Sequence, residues 1–489
     1  MSDLAKRVDE VLRKSRTAFE TYKNISGKKR ADFLDAVAAA IESNSASIVS
    51  AAMKETNLPE PRLAGERVRT CNQLRQFSAM LREGSWVEAR IDTAIPDRQP
   101  LPKPDIRKMM VPIGPVVVFG ASNFPMAYST AGVDTASALA AGCSVVLKGH
   151  PAHPETSRMV ADLIMSAARL TGMPEGLFIH VEEPGFEIGK LLVQHPFTKA
   201  VGFTGSFSGG KALYDYAQQR QEPIPVFSEM GSINPVYLLP DAIKARASQV
   251  AEQYATSITQ SVGQFCTNPG LLLGIKSPSL ESFKNELAGK LEKIAPAPML
   301  HAGISKSFYT KRAEALKQKG VQLIKQSSAD QPEGQGVPTL ASVSGKDFLN
   351  NPLLSEEVFG PYSLLVEAAD VQELEQIASG MPGQLTSTLI ADPSDLDHSA
   401  NLIQLISNNA GRVILNGVPT GVEVCPSMHH GGPFPATTDS RFSSVGTDAV
   451  KRFVRPLSYQ GFPEQLLPDE LKTSNPLGIW RLFNNEWKK

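Results

Sequence analysis

Apolar positions recur at helical spacing through the first 86 residues. Leu4, Val8, Val11 and Leu12 lie three and four apart and place one apolar stripe on a helix over 2–23. Phe33, Val37, Ile41 and Ile48 carry the same period through a helix over 28–56, and Leu74, Phe77, Met80 and Leu81 through one over 61–86. All three read as scaffold. The period breaks over 88–110, where Pro96, Pro100, Pro102 and Pro104 forbid a helix and the remaining positions are mostly polar. Such a stretch is expected to cross between domains or to reach toward a partner chain.

From residue 115 the spacing changes again. Short, continuous apolar runs over 115–119, 143–148, 177–181, 200–203 and 225–229 alternate with helical stretches over 128–141, 154–172, 185–194 and 206–219. Valine-rich runs without a polar face are strands buried on both sides, and their alternation with helices predicts a parallel, doubly wound sheet. The alternation repeats less regularly beyond residue 231, with strands over 235–239, 270–275, 362–366, 386–391 and 412–416. Helices over 243–262, 279–293, 305–319, 370–379 and 395–409 separate them. The fold class is therefore α/β, with two doubly wound parallel-sheet domains, one from 1–87 and 111–230, the other from 231–430. Residues 88–110 and 446–489 remain as an arm and a tail. The strand-like run 452–460 is expected to pair with the arm.

Composition narrows the function classes. A chain of 489 residues exceeds one compact core, and 42% hydrophobic with 20% charged residues is the balance of a soluble globular protein. A net charge of -1 offers no footprint for nucleic acid or for an anionic membrane. No apolar run approaches the roughly 20 residues of a membrane helix, and the charged start Met1-Ser-Asp-Leu-Ala-Lys-Arg predicts no signal peptide. The four cysteines, Cys71, Cys143, Cys266 and Cys425, form neither a disulfide framework nor a C-x-x-C pair. A reducing, cytoplasmic setting and no metal site are expected.

The candidate chemistry falls at strand ends, where ligands sit in such sheets. Cys266 stands between a helical run and an apolar strand, in Gly-Gln-Phe-Cys-Thr (263–267), a place for a covalent nucleophile. Glu229 ends the fifth strand and is a candidate general base. Asn123 follows the first strand and offers an N–H to an oxyanion. Phe203-Thr-Gly-Ser-Phe-Ser-Gly-Gly (203–210) joins a strand to a helix but is not the G-x-G-x-x-G dinucleotide fingerprint. Gly205, Ser206 and Gly210 there would let a phosphate approach a helix N-terminus. Lys148 suits an adenosine ribose or phosphate, Glu357 a ribose hydroxyl, and Phe359 the nicotinamide edge. Phe124, Gln264, Gln260 and Ser261 lie near enough to touch a substrate, and no arginine occurs in these motif stretches. The lack of a G-x-S-x-G elbow makes a serine hydrolase a weaker reading.

In this order, across roughly residues 5–460, the motifs resemble the aldehyde dehydrogenase superfamily. The resemblance implies that Cys266 is the nucleophile, Glu229 the general base, and Asn123 with the Cys266 N–H the oxyanion hole. It implies further that Lys148, Gly205, Ser206, Glu357 and Phe359 serve an NAD(P) cofactor in a Rossmann-like first domain. The second domain would carry the nucleophile, and the arm would build a homodimer or homotetramer. Two positions depart from the common pattern. Ser232 stands where Gly is usual after Glu-Met-Gly, and Pro151 stands where NAD-preferring members carry Glu. Without that carboxylate an obstacle to NADP is gone, with Lys148, His150 and Lys211 as phosphate partners; NADP is preferred, NAD is the alternative. The blocks 148–154, 263–270 and 416–437 resemble most the branch acting on α-ketoglutaric semialdehyde (2,5-dioxopentanoate). An NADP-dependent long-chain aldehyde branch shares parts of them and suggests His430 at the active site. A non-catalytic NADP-binding protein of the same fold is the remote alternative.

Overall fold

The computed structural model describes residues 2–489. Five parallel strands make the first sheet, in the order Phe178–Val181, Val145–Lys148, Val116–Phe119, Ala200–Thr204 and Val226–Glu229. Their continuous apolar runs are explained by cover on both faces. Val116, Val118, Val145 and Leu147 pack with Leu34 and Val37 of the helix Gly27–Ser43, while Val117 and Val146 pack with Val8, Leu12 and Ile188. The strand order reverses between Val116–Phe119 and Ala200–Thr204, which opens a crevice at their carboxyl ends. Phe119 pairs with Lys148 and Phe203, and Thr204 with Glu229, so these ends are level.

The second sheet has seven strands, in the order Gln322–Gln326, Thr339–Ser344, Tyr362–Ala368, Leu271–Ile275, Val236–Leu238, Gln384–Ile390 and Ala410–Leu415. All neighbours are parallel except the first pair. A third sheet of five strands joins Val454–Gln460, Ile106–Pro112, Arg90–Asp92, Arg481–Phe483 and Glu486–Lys488. Within it the tail strand runs antiparallel to the arm, with Ile106 opposite Gln460 and Pro112 opposite Val454. Just before this strand, Arg452 Nη1 lies 2.6 Å from Asp134 Oδ1, both side chains buried, and fastens the tail to the helix Val133–Ala141.

Several elements differ from the sequence expectation. The helix expected over 28–56 is two, Gly27–Ser43 and Ser45–Thr56, inclined by 71°. Asn44 leaves the helical region (φ -107°, ψ 15°), and its Nδ2 donates to the Ala40 carbonyl, which closes the first helix. The turn lets Ile41 and Ile48 enter the same core. The helix expected over 128–141 begins only at Val133. The buried turn before it is held by Glu66, whose Oε1 accepts the N–H groups of Met126 and Ala127 at 2.8 Å. The arm is no simple crossing, because it folds on itself through the Ile95–Lys103 bridge. No single helix among the described residues is long and apolar enough to cross a membrane; the bent pair at 27–56 passes only by joining two helices.

Candidate active site

Cys266 sits between the turn Gln260–Gly263 and the strand Leu271–Ile275. Ser261, Val262 and Gly263 all have positive φ (48°, 58° and 65°). A β-branched residue rarely adopts that conformation, so Val262 marks backbone strain next to the nucleophile. At Gly263 a side chain is also excluded by the main chain of Gly360. Behind the cysteine, the buried Asn234 Nδ2 donates to the carbonyls of Cys266 (2.9 Å), Asn268 (2.9 Å) and Ser232 (3.1 Å). The Cys266 thiol is half-buried, whereas Cys71 and Cys143 are fully buried and donate to the carbonyls of Ala38 and Phe453. Burial, then the nearby Glu229 charge, pushes the Cys266 thiol well above its ordinary pKa.

Glu229 ends the last strand of the first sheet and is 3% exposed. Its Oε2 accepts from Ser444 Oγ, and its Oε1 lies 3.1 Å from His430 Nε2. That approach is not aligned as a hydrogen bond, so Oε1 keeps a free lone pair. Burial works to raise the Glu229 pKa, but the His430 ring and the Ser444 hydroxyl outweigh it and hold the carboxyl below its ordinary value. His430 Nε2 also stands 3.6 Å from Cys266 Sγ. The three side chains bring their ligating atoms within 4.8 Å of one another, a proximity that sequence spacing did not announce. The loop carrying His430 lies directly on the second sheet. A side chain at Gly411 would strike the Gly431 carbonyl, and one at Gly432 (φ +154°) the Gln384 carbonyl.

Asn123 Nδ2 donates to the Gln264 carbonyl at 3.0 Å, which aims the amide at the peptide leading to Cys266. Beneath it, Phe124 stacks edge-on against Tyr128 (5.2 Å) and Phe265 (5.5 Å). Gln264 is corrected by the structure. Its Oε1 accepts from Leu300 N and its Nε2 donates to Ser261 O, so the buried amide braces the loop and does not face the cleft. Ser232 brings no irregularity of its own. Its hydroxyl lies 2.8 Å from Gln384 Oε1 and accepts from Leu385 N, which ties the Glu229 loop to the second sheet.

A cleft of about 890 Å³ joins these groups to the crevice of the first sheet and is lined by His150, Ser206, Glu357 and Phe359, among others. Ser206 caps the helix Phe207–Gln218 by accepting from Gly209 N, and Gly205 borders the same opening. Gly210 points the other way: a Cβ there would meet Met230 Cγ at 2.7 Å, so it serves helix-to-strand packing. Burial raises the Glu357 carboxyl to about 7. Lys148 has no carboxylate within salt-bridge distance among the described residues, and burial lowers its pKa. His150 accepts from Ala152 N at Nδ1, and burial with its neighbours His153, His301 and Lys148 lowers it to about 3. It is therefore neutral, and as a phosphate partner it would donate from Nε2 without carrying charge. Lys211 is likewise engaged, by Asp215 at 2.7 Å. Ser444, Tyr128 and two arginines, Arg62 and Arg69, carry no motif signal: Tyr128 lies only five residues after Asn123, whereas Arg62, Arg69 and Ser444 stand outside the motif stretches.

The chain is similar to known proteins over nearly its whole length. The model described as "Aldehyde dehydrogenase family" matches residues 2–444. The chain is 46% identical to an alpha-ketoglutaric semialdehyde dehydrogenase of Acinetobacter baylyi, covering 98% of this chain and 90% of that protein. It is 47% identical to alpha-ketoglutaric semialdehyde dehydrogenase 2 of Azospirillum brasilense, covering 97% and 90%. Among solved structures, betaine aldehyde dehydrogenase of Staphylococcus aureus in complex with NAD+ shares the fold with a TM-score of 0.79 at 19% identity, over 93% of this chain and 88% of that one. A point mutant of the 1-pyrroline-5-carboxylate dehydrogenase of Thermus thermophilus shares it with a TM-score of 0.78 at 20% identity, over 93% and 85%. With a family match that starts at residue 2 and runs past the whole cysteine–glutamate–asparagine cluster, the chain belongs to the aldehyde dehydrogenase family.

Proposed function

We propose that this chain oxidises 2,5-dioxopentanoate to 2-oxoglutarate with a nicotinamide dinucleotide. The observation that carries the reaction is the convergence of Cys266, Glu229 and Asn123 on one cleft. The substrate is supported by 46% and 47% identity, over nearly whole chains, to two proteins named for it. Cys266 Sγ adds to the aldehyde carbon after its proton passes through the cleft to solvent. The Asn123 amide and the Cys266 N–H face the oxyanion that forms; one such donor is worth about 10²–10³ in rate. The bound nicotinamide supplies the hydride acceptor. Glu229 Oε1, free of a hydrogen bond, takes a proton from the water that cleaves the resulting thioester, and the acid leaves with the thiol restored.

The cleft fits such a cofactor. Gly205 and Ser206 border it at a helix N-terminus, and Glu357 and Phe359 line the same cleft as Cys266. The first sheet, with residues 1–87 and 111–230, is the dinucleotide-binding domain in this reading, and 231–430 the catalytic one. NADP is favoured over NAD because Pro151 leaves no carboxylate beside Lys148, although neutral His150 and paired Lys211 leave Lys148 as the chief cation. The arm sheet has free edges at Val454–Gln460 and Glu486–Lys488 with Trp487 exposed, which supports a homodimer or homotetramer. A cytoplasmic setting suits the four free cysteines.

The test follows absorbance at 340 nm with 2,5-dioxopentanoate and with decanal, using NADP and then NAD. A kcat/KM at least tenfold higher for the dioxo acid, abolished in Cys266→Ala, is expected. A preference for decanal overturns the substrate, and no reduced cofactor with any aldehyde overturns the reaction.

A further inference from the structure

Arg62 and Arg69 flank the aromatic wall beside Cys266, and Arg69, like Arg412 on the second sheet, forms no salt bridge among the described residues. The helix Glu60–Glu83 presents Arg62 and Arg69, two turns apart, on the face that meets Phe124 and Tyr128. Arg62 Cζ lies 4.2 Å from the Phe124 ring centre, its Nη2 donates to the Asn123 carbonyl at 3.1 Å, and its charge is matched by Glu66 at 2.5 Å. Arg69 differs. Its Cζ lies 5.2 Å from the Tyr128 ring centre and its Nη2 donates to Tyr128 Oη at 3.0 Å. Its Nε is buried without a partner. Arg412, on the strand Ala410–Leu415, donates to the carbonyls of Pro419 (2.8 Å) and Gly421 (3.2 Å), and its Nε is also buried without a partner. Neither Arg69 nor Arg412 joins any of the chain's ion pairs among the described residues.

Both charges are felt at the reacting sulfur. Arg69 lowers the Cys266 pKa against its burial, and Cys266 and Tyr128 both act on Arg412. Phe124 and Tyr128, the rings that Arg62 and Arg69 flank, line the same cleft as Cys266 and Asn123. A part-buried guanidinium without a counter-ion is costly, and its planar fork matches a carboxylate.

We propose that Arg69 receives the carboxylate of an anionic aldehyde whose carbonyl lies at Cys266, with Arg412 adding its charge from behind, while Arg62, matched by Glu66, seats Phe124 and the Asn123 loop. This rests on the aldehyde-oxidising reading above and adds the groups that select the acid. The test measures kcat/KM for 2,5-dioxopentanoate, succinic semialdehyde and pentanal in the full-length enzyme and in Arg69→Met, Arg69→Lys and Arg412→Met. The ratio of acid to pentanal is expected to fall about 10- to 100-fold in Arg69→Met, the range for a charge-assisted hydrogen bond. It should recover in part in Arg69→Lys and fall less in Arg412→Met. Should Arg69→Met not fold, Arg69→Gln, which keeps a donor for Tyr128, is read in the same way. An unchanged ratio in both Arg69 and Arg412 variants overturns the assignment even where the wild type prefers the dioxo acid. If the wild type rejects the dioxo acid but oxidises succinic semialdehyde with an Arg69-dependent ratio, the assignment stands and the substrate proposed above falls. A wild type indifferent to the carboxylate of either acid overturns the arginine assignment outright.

Discussion

Replacing Glu229 by glutamine tests the centre of the site, because it removes a charge while keeping the shape. Glu229 and Cys266 bring their ligating atoms within 4.8 Å of each other. At an effective dielectric of about 20, a carboxylate at that distance opposes a thiolate by about 3.5 kcal/mol, equivalent to about 2.5 pH units. His430 Nε2 lies 3.6 Å from the sulfur and 3.1 Å from Glu229 Oε1, so its ring dipole also acts on both groups and the net relief is smaller. We expect the Cys266 thiol to titrate at least one unit lower in Glu229→Gln, with the part of its upward shift due to burial remaining. The assay is the rate of iodoacetamide alkylation against pH, with Cys266→Ala as the blank for the other three cysteines. In the same variant, turnover should fall about 10²–10⁴-fold, the range for losing a general base. A stoichiometric burst of reduced cofactor should survive, since the thioester still forms and only its hydrolysis is slowed. Superimposable alkylation profiles for wild type and variant would refute the placement of the carboxylate beside the sulfur. Loss of the burst would instead give Glu229 the task of activating the thiol.

Ser444→Ala removes the hydroxyl that donates to Glu229 Oε2. Losing a charge-assisted donor of about 1.5–3 kcal/mol should raise the Glu229 pKa by about one to two units, seen as an acid limb of the kcat profile displaced to higher pH. For Glu357 the folded-state pKa, about 7, lies above the ordinary 4.5. Its burial therefore costs nothing below pH 4.5, and stability is lost as pH rises through 7. Glu357→Gln should raise Tm at pH 8.5 and leave it little changed at pH 4.5, with a ceiling of about 3 kcal/mol; an equal shift at both values would contradict the buried charge. Arg452→Met strands the buried Asp134 carboxylate and should cost about 3–5 kcal/mol in urea unfolding. A cost below about 1 kcal/mol would show that the tail is not held by that pair.

The parts of this architecture set by local pattern were legible in the sequence. The valine runs of the first sheet and the helices between them needed only periodicity, and their order placed Lys148, Glu229 and Gly205 at strand ends. Local pattern did not show the break at Asn44, where one side-chain hydrogen bond ends a helix that the apolar spacing would continue. Nor did it show Gln322–Gln326 and Thr339–Ser344, whose polar and small residues lack a strand's usual weight. Cys266, Glu229 and Asn123 stood out because each occupies a junction between elements. Arg69, Arg412 and Ser444 reach the site from a long helix, an edge strand and a loop, so only the assembled fold brings them there. Gln264 and Gly210 show the converse: neighbours in sequence of a functional residue, they are turned by the backbone toward structural work.

The contact of the His430 loop with the second sheet, main chain against main chain at Gly411 and Gly432, divides the site into two walls with different histories open to them. On the proton-handling wall any side chain added at those two positions meets a carbonyl, so that wall can drift only through concerted changes. The adjoining wall, built of Phe124, Tyr128 and the arginines of a single helix, is made chiefly of side-chain contacts. Single substitutions there can trade one aldehyde for another while the chemistry stays in place. A lineage adopting a new substrate is expected to carry its changes along the helix Glu60–Glu83 and to keep both glycines.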